Sequence, residues 1–170
     1  MERIELASVD SPIGTLTIAA HGSKVCLVHF GGDAPHVRAA LANWYPGASV
    51  EPGQDPGGAV RVLSRYFGGD LKSLDEIGVE LHGTPFQTRV WYTLRTVPAG
   101  STTSYADLAR RVGAPSAVRA VGAANGANPV AVVLPCHRII GSNGSLTGYG
   151  GGLERKRWLL HHEGVSRSLF

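Results

Sequence analysis

The segment Pro135-Cys136-His137-Arg138 holds the strongest candidate for covalent chemistry in this 170-residue chain. It directly follows the apolar run Val130–Leu134, which predicts a short buried strand. A cysteine on a loop at the mouth of a buried strand is placed like a nucleophile. An isolated cysteine is more often a small buried apolar residue, but the two adjacent cationic side chains can lower the pKa of a thiol. We therefore predict that Cys136 is reactive.

A relay from Cys136 to His137 requires a turn or a bridging water, because consecutive side chains of an extended segment point to opposite sides. The relay also requires a third group that holds the imidazole tautomer. Glu163 is one of only three acidic residues after residue 83, so it is the leading partner for His137. The alternative places Glu163 on a solvated helix end.

Cysteine content and charge limit the class of protein. Cys26 and Cys136 lie far apart in sequence, which favours reduced thiols over a disulfide framework. No apolar run approaches the ~20 residues that span a bilayer, and the N-terminus lacks a signal-peptide pattern. We therefore expect a cytoplasmic protein with no membrane partner.

The charge is unevenly distributed along the chain. Residues 1–83 carry a net charge of −4, whereas residues 84–170 carry +7. A basic second half predicts a polyanionic partner such as nucleic acid. The alternative is an ordinary solvated basic face.

The first half of the sequence predicts a small α+β unit. Alternating apolar residues indicate strands at Ile4–Leu6 and Leu16–Ile18, and a third strand covers Val25–Phe30. Asp33 is placed as the N-cap of a helix that extends to about Tyr45. The later expectations are a surface loop over Glu51–Gly58, a helix over Ala59–Phe67 and a strand over Ile77–Leu81.

The pattern changes to helices after His82-Gly83-Thr84-Pro85, where we place a domain boundary. Thr84 can cap a helix with Pro85 in its first turn. Two short helices are then expected, Tyr105–Val112 capped by Ser104 and Ala117–Ala124 capped by Ser116. Two such helices joined by a glycine-containing turn favour a helix-turn-helix over a plain helical hairpin.

The second of these helices carries almost only small residues. A major-groove reader needs several long hydrogen-bonding side chains at the base edges, and here only Arg119 projects far. A slim helix can lie in a minor groove with one long residue pushed into the base stack. We therefore predict DNA binding without sequence readout.

The residues after the cysteine predict a loop and a helix. Glycines dominate residues 141–152, which can close over a ligand or form a plain surface loop, and Tyr149 is the only large side chain in the glycine-rich part. Leu153–His162 is predicted as a basic amphipathic helix. Its outer face is expected to carry Arg155, Lys156 and Arg157, and its inner face Trp158, Leu159 and Leu160.

Three blocks of sequence resemble a known family. They are Pro-Cys-His-Arg-Ile-Ile at 135–140, the Arg-to-Asn-Pro block at 119–129, and Thr-Gly-Tyr-Gly-Gly-Gly at 147–152. They are similar to the methylated-DNA–protein-cysteine methyltransferases, the O6-alkylguanine-DNA alkyltransferases, of the bacterial constitutive type. The resemblance implies an α+β protein with a ribonuclease-H-like domain over 1–82 and a winged-helix-like, helix-turn-helix domain over 83–170.

The resemblance also implies an activity. The chain would transfer the alkyl group of O6-alkylguanine, and of O4-alkylthymine, from duplex DNA to Cys136 after flipping the base through the minor groove. The reaction would be a single turnover without a cofactor. The partner would be damaged double-stranded DNA, bound by a protein that is a monomer in solution and can cluster on DNA.

By motif position, Cys136 would be the alkyl acceptor, and His137, through a water and backed by Glu163, would take its proton. Tyr105 would donate a hydrogen bond to guanine, and Asn128 would tie the helix-turn-helix to the active-site loop. The implied substrate-binding residues are Tyr105, Ile139, Tyr149 and Gly150, and the implied DNA-binding residues are Arg119, Tyr105, Ala114 and Ser142.

Two departures from the family pattern and one metal motif bear on these expectations. Thr147 stands where some relatives have glycine, which predicts a tighter pocket that handles methyl better than benzyl. Gly150 stands where some relatives have serine, so only its backbone amide can contact the base.

Cys26-x-x-His29 resembles half of a zinc motif, but residues three apart on a strand face opposite ways and no cysteine completes the set. We predict no metal.

Three rival functions remain open from the sequence. A helix-turn-helix regulator without transfer activity would keep its function without Cys136. A thiol hydrolase or redox enzyme would turn over many times. A non-transferring alkyltransferase-like protein would lack the acceptor cysteine, which this chain has.

Overall fold

The computed structural model describes residues 2–166 and shows an α+β protein with two compact units. The first unit contains the residues up to 82 together with 129–133, and the second contains 83–128 and the residues from 134 onward. The predicted domains differ from this division only at 129–133, because Val28 N donates to Pro129 O at 3.0 Å and Val28 pairs with Val130. Met1 and residues 167–170 of the predicted domains lie outside the described residues.

The first unit contains a four-stranded sheet. Its strands are β1 (Arg3–Val9), β2 (Leu16–His21), β3 (Lys24–Phe30) and β4 (Ser49–Pro52), in the order β3-β2-β1-β4. The first three strands pair antiparallel and confirm the prediction, whereas β4 pairs parallel with β1. The predicted loop over Glu51–Gly58 is wrong at its start, because a polar edge strand that ends in proline has no alternating pattern to reveal it.

Two helices complete the first unit, α1 (Pro35–Trp44) and α2 (Ala59–Phe67), and the bounds of α2 are those predicted. The predicted cap at Asp33 is wrong. Ala34 is the N-cap residue, and the Asp33 carboxylate instead accepts hydrogen bonds from Arg38. The predicted strand over Ile77–Leu81 is also wrong, since only Val79 forms an isolated bridge, with Val25.

The second unit is mainly helical. Its elements are α3 (Pro85–Leu94), β5 (Thr103–Ser104), α4 (Tyr105–Arg111), α5 (Val118–Gly126), β6 (Ile139–Ile140) and α6 (Leu153–His162). Thr84 and Gln87 form a reciprocal capping box at α3, and the Ser104 hydroxyl caps α4. The predicted cap at Ser116 is wrong, because Ala117 is the N-cap of α5. No helix of the described chain is long and apolar enough to cross a membrane.

The predicted strand Val130–Leu134 is wrong beyond its first residue. Residues 131–133 form a turn, and Val132 has a φ of 71°, a left-handed value that is costly for a β-branched side chain. The whole run is buried, so the apolar content reports burial and not extended backbone. The turn brings Leu134 O within 2.7 Å of Asn128 Nδ2, which fixes the start of the cysteine segment.

Candidate active site

Cys136 begins a single 3₁₀ turn, Cys136–Arg138, that leads directly into β6. Because the chain turns here, the side chains of Cys136 and His137 can approach the same region, which an extended segment would not allow. Cys136 N donates to Leu134 O at 2.8 Å, and β6 is held by parallel pairing with β5. The cysteine is only 7% exposed. The reactive candidate is therefore a buried thiol on a short, well-anchored turn.

The Glu163 carboxylate, at the C-cap of α6, joins the two residues that follow the cysteine. Glu163 Oε2 lies 2.9 Å from His137 Nε2 and also accepts from Arg138 Nη2 at 2.9 Å. Glu163 Oε1 accepts from Arg138 Nε at 2.8 Å. We call these three buried side chains, His137, Arg138 and Glu163, the ionic array.

The ionic array defines the protonation of its members. Burial alone would raise the pKa of Glu163, but His137 and Arg138 hold it well below its usual value. Burial lowers the pKa of His137 despite the neighbouring carboxylate. A neutral imidazole beside an ionised carboxylate donates through Nε2–H, which leaves Nδ1 as a hydrogen-bond acceptor. Within residues 2–166, His137 Nδ1 has no hydrogen-bond partner.

Arg138 has a structural role that the sequence did not indicate. Its Nη1 donates to Val97 O at 2.7 Å, so the guanidinium anchors the array to the segment after α3. From its position next to Cys136, Arg138 was expected only to lower the pKa of the thiol as a neighbouring cation. That expectation is wrong in direction, since burial raises the pKa of Cys136 and the charge of Arg138 is matched by Glu163. The resting thiol is therefore protonated near neutral pH.

Three other groups act on the thiol in the opposite direction. The neighbouring Asn128 and Tyr149 side chains and the positive charge of Lys156 all lower the pKa of the thiol, although burial outweighs them. Asn128 Nδ2 donates to Leu134 O at 2.7 Å, and the half-buried Tyr149 belongs to the glycine-rich loop. A thiol with these neighbours needs a base to lose its proton, and the resulting anion is stabilised once formed.

Lys156 on α6 is fully buried, so its predicted place on the outer face is wrong. Its Nζ donates to Ile139 O at 2.6 Å and to Thr147 O at 3.1 Å. Burial lowers the pKa of Lys156 to about 8. Lys156 is spaced three and four residues from the buried Leu159 and Leu160, and this helical spacing was the available signal.

Tyr105, the first residue of α4, lies where three segments approach one another. Thr147 Oγ1, from the glycine-rich loop, donates to Tyr105 Oη at 3.1 Å. Gly122 of α5 faces the Tyr105 ring, and a Cβ there would lie 3.7 Å from the ring. The Tyr105 oxygen already accepts one hydrogen bond, so its O–H remains available as a donor.

The remaining predicted residues lie on or near the surface of the second unit. Arg119 is exposed in the first turn of α5, next to the exposed Val118, and Ala114 is half-buried in the turn before α5. Ser142 and Gly150 are exposed.

Comparisons with known proteins show the family to which the chain belongs. Residues 85–165 match the family model described as 6-O-methylguanine DNA methyltransferase, DNA binding domain. The methylated-DNA–protein-cysteine methyltransferase of Mycobacterium tuberculosis is 47% identical over 163 residues, which cover 94% of this chain and 92% of that protein.

Two solved structures are similar over nearly the whole chain. The crystal structure of Mycobacterium tuberculosis OGT in complex with DNA has 44% identity and a TM-score of 0.78, and the match covers 95% of this chain and 92% of that chain. The O6-methylguanine-DNA methyltransferase of Pyrococcus kodakaraensis has 28% identity and a TM-score of 0.65, with 95% and 99% coverage. The chain belongs to the methylated-DNA–protein-cysteine methyltransferases.

The ionic array predicts a pH-dependent loss of stability in Glu163→Gln. The substitution leaves Arg138 buried without its counter-charge, and we expect a loss of about 3 kcal/mol in the free energy of unfolding near neutral pH. The folded pKa of Glu163 is depressed, so its contribution is complete above the usual value of 4.5 and is lost as the pH falls. The difference in the free energy of unfolding between the wild type and Glu163→Gln should therefore narrow only below pH 4.5.

Urea unfolding across the acid range measures this gap. Glu154→Gln, at an exposed acidic position in the first turn of α6, is the matched control and should follow the wild type. A gap for Glu163→Gln that is equally large at every pH would contradict the assigned ionisation.

Proposed function

We propose that this chain repairs DNA directly by transferring the alkyl group of O6-alkylguanine in duplex DNA to Cys136 Sγ in one irreversible turnover. The observation that carries the proposal is the buried Cys136 beside the ionic array, in a chain whose family is named for transfer to a protein cysteine. The similar Mycobacterium tuberculosis protein was crystallised in complex with DNA. The chain is thus a DNA-repair methyltransferase.

The first step brings the lesion to the thiol. The O6 atom of guanine lies inside the duplex, so the base must leave the stack before a buried sulfur can reach it. Arg119 is exposed at the start of α5, where it would fill the gap left by the base. Small residues such as Ala120 and Ala123 on the same helix would let it lie close to the minor-groove backbone.

The second step removes the thiol proton. The proton of Cys136 Sγ would pass through a bridging water to His137 Nδ1, the acceptor that the neutral imidazole offers. Glu163 then faces an imidazolium and stabilises it, while Arg138 keeps the carboxylate ionised and in position. The thiolate would therefore form within the site and not persist in the resting protein.

The third step is an in-line displacement. The Cys136 thiolate attacks the alkyl carbon, the S–C bond forms, and the C–O6 bond breaks with its electron pair remaining on guanine. A hydrogen bond from the Tyr105 hydroxyl would reduce the charge that develops on the leaving base. The product thioether has no good leaving group, so each molecule acts once.

Other residues would shape the pocket and the DNA surface. Asn128 would hold the cysteine segment against the end of α5. Lys156 would keep the carbonyls of Ile139 and Thr147 in place. The family likeness favours Ile139, Tyr149 and Gly150 as pocket residues and Ala114 and Ser142 as DNA contacts.

The same likeness favours finer assignments. These are a ribonuclease-H-like first domain, a winged-helix-like second domain, repair of O4-alkylthymine, and a monomer that can cluster on DNA. A regulator without transfer activity is the weaker candidate, because the relatives are methyltransferases and Arg119 is the one long side chain that α5 projects, whereas a base-reading helix needs several.

An intact-mass measurement tests the proposed transfer. Incubation with an O6-methylguanine duplex should add the mass of one methylene to the Cys136 peptide, with one protein consumed per lesion. Cys136→Ser should stay unmodified and still bind the duplex. Unmodified wild-type protein, or repair of more than one lesion per molecule, would rule out the proposal.

His137→Gln tests the proton acceptor. Because burial raises the pKa of Cys136, the thiol stays protonated near neutral pH without a base, and we expect the single-turnover rate to fall about 100-fold or more. The difference in single-turnover rate between the wild type and His137→Gln should shrink as the pH rises, because solvent can then remove the proton of the Cys136 thiol. His161→Gln, at an exposed position on α6, should react like the wild type. A deficit that does not change with pH would exclude His137 as the base.

Thr147→Gly tests the limit on substrate size. Removing the Thr147 side chain opens the space beside Tyr105 and loses the hydrogen bond between them. We expect the ratio of benzyl to methyl transfer rates to rise by about tenfold. Single-turnover rates with O6-benzylguanine and O6-methylguanine duplexes give this ratio. Equal ratios in wild type and variant would show that Thr147 does not set the limit.

A further inference from the structure

The first unit contains two histidines that face each other away from the alkyl-acceptor cysteine. His29 lies near the end of β3 and is half-buried, and His36 is exposed in the first turn of α1. Their Nε2 atoms are 3.1 Å apart, and the two rings meet edge to face with centroids 4.6 Å apart. The Nε2 atom of each ring thus faces the Nε2 atom of the other ring.

At this separation the two rings cannot both carry a proton on the facing nitrogen. One Nε2 donates and the other accepts, so the pair shares a single proton at the contact. Burial and the neighbouring His36 both lower the pKa of His29. Replacing the shared proton by a cation gives both nitrogens a partner at once.

The segment between the two histidines is held by hydrogen bonds to β2 and α1. Gly31 N donates to Thr15 O at 2.8 Å, and Thr17 Oγ1 donates to Gly31 O at 2.7 Å. Gly31 has a φ of 113°, which favours glycine at this bend. Asp33 and Arg38 form a forked ion pair that closes the segment onto α1. The backbone conformation of this segment therefore holds the two histidines close together.

The nitrogen spacing matches a metal chelate. With metal–nitrogen bonds of about 2.0–2.1 Å, as in zinc–histidine sites, two nitrogens at this separation subtend roughly 100° at the metal. That angle lies between the octahedral and tetrahedral values, and imidazole nitrogens are suitable ligands for Ni²⁺ and Cu²⁺. His36 is exposed and can turn its ring so that both lone pairs meet at one ion.

We propose that His29 and His36 chelate a divalent late transition-metal ion, of the Ni²⁺ or Cu²⁺ class, at the surface of the first unit. Asp33 is committed to Arg38, so water would fill the other coordination positions. Among residues 2–166, no group of three or more His, Cys, Asp or Glu side chains could hold a metal, so this is a two-ligand site. The proposal departs from the sequence prediction of no metal and does not depend on the alkyl-transfer activity.

Calorimetric titration of the full chain with Ni²⁺ near neutral pH tests the chelate. His29→Gln and His36→Gln should each weaken binding by about tenfold or more, and the double variant should be no weaker than either single variant. This result is expected when both rings bind one ion. His161→Gln, an exposed histidine on α6 in the second unit, should leave the affinity unchanged. Unchanged affinity in both single variants, or losses that add in the double variant, would overturn the proposal.

Thermal unfolding gives a second measurement that also reports folding. Ni²⁺ should raise the melting temperature of the wild type, because it binds the native pair, and should not raise that of His36→Gln. Since His36 is exposed, the variant without Ni²⁺ should unfold at the wild-type temperature. An equal Ni²⁺-induced rise in wild type and variant would place the ion elsewhere and contradict the proposal.

Discussion

The buried Glu163 carboxylate is the interaction on which the candidate site depends. It accepts hydrogen bonds from His137 and twice from Arg138, so its charge is compensated away from water. A buried carboxylate with only one of these partners would be strongly destabilised or protonated. Arg138 therefore lets Glu163 remain an anion, and the anion fixes which nitrogen of His137 carries the proton. Through these contacts, Arg138 and Glu163 determine the protonation of the His137 imidazole.

The fold supplies this arrangement by ending several elements at one place in the second unit. Glu163 caps the end of α6, the 3₁₀ turn precedes β6, and Arg138 reaches Val97 O after α3. Lys156, buried on α6, holds the carbonyl of Ile139 in β6 and the carbonyl of Thr147 within the glycine-rich loop. Burial raises the pKa of the Cys136 thiol and keeps it protonated near neutral pH.

Local signals in the sequence were sufficient to predict strands of the first unit, the starts of two helices and the partner of His137. Alternating residues indicated β1 and β2, and Thr84 and Ser104 marked the starts of α3 and α4 through their capping hydroxyls. The scarcity of acidic residues in the second half singled out Glu163 as the partner of His137 before any geometry was known. The contiguous cysteine motif limited the chemistry because the residues that follow Cys136 in sequence also lie close to it in space.

Other features depend on tertiary contacts that composition does not encode. The apolar run at 130–134 is buried, but its backbone turns at Val132, so burial was predictable and conformation was not. Lys156 was assigned to solvent because lysine is rarely buried without partners, and its partners are distant backbone carbonyls. The direction of the shift in the thiol pKa could be predicted only by knowing that Glu163 matches the charge of Arg138 and that Cys136 is buried.

Nitrogen NMR of the His137 imidazole in the full chain tests the central claim most directly. With the Glu163 carboxylate ionised and Arg138 in place, the ring should be neutral near pH 7, with the proton on Nε2 and an unprotonated Nδ1. A ring that carries protons on both nitrogens, or a neutral ring with its proton on Nδ1, would contradict the account, because no acceptor would then be available for the cysteine proton.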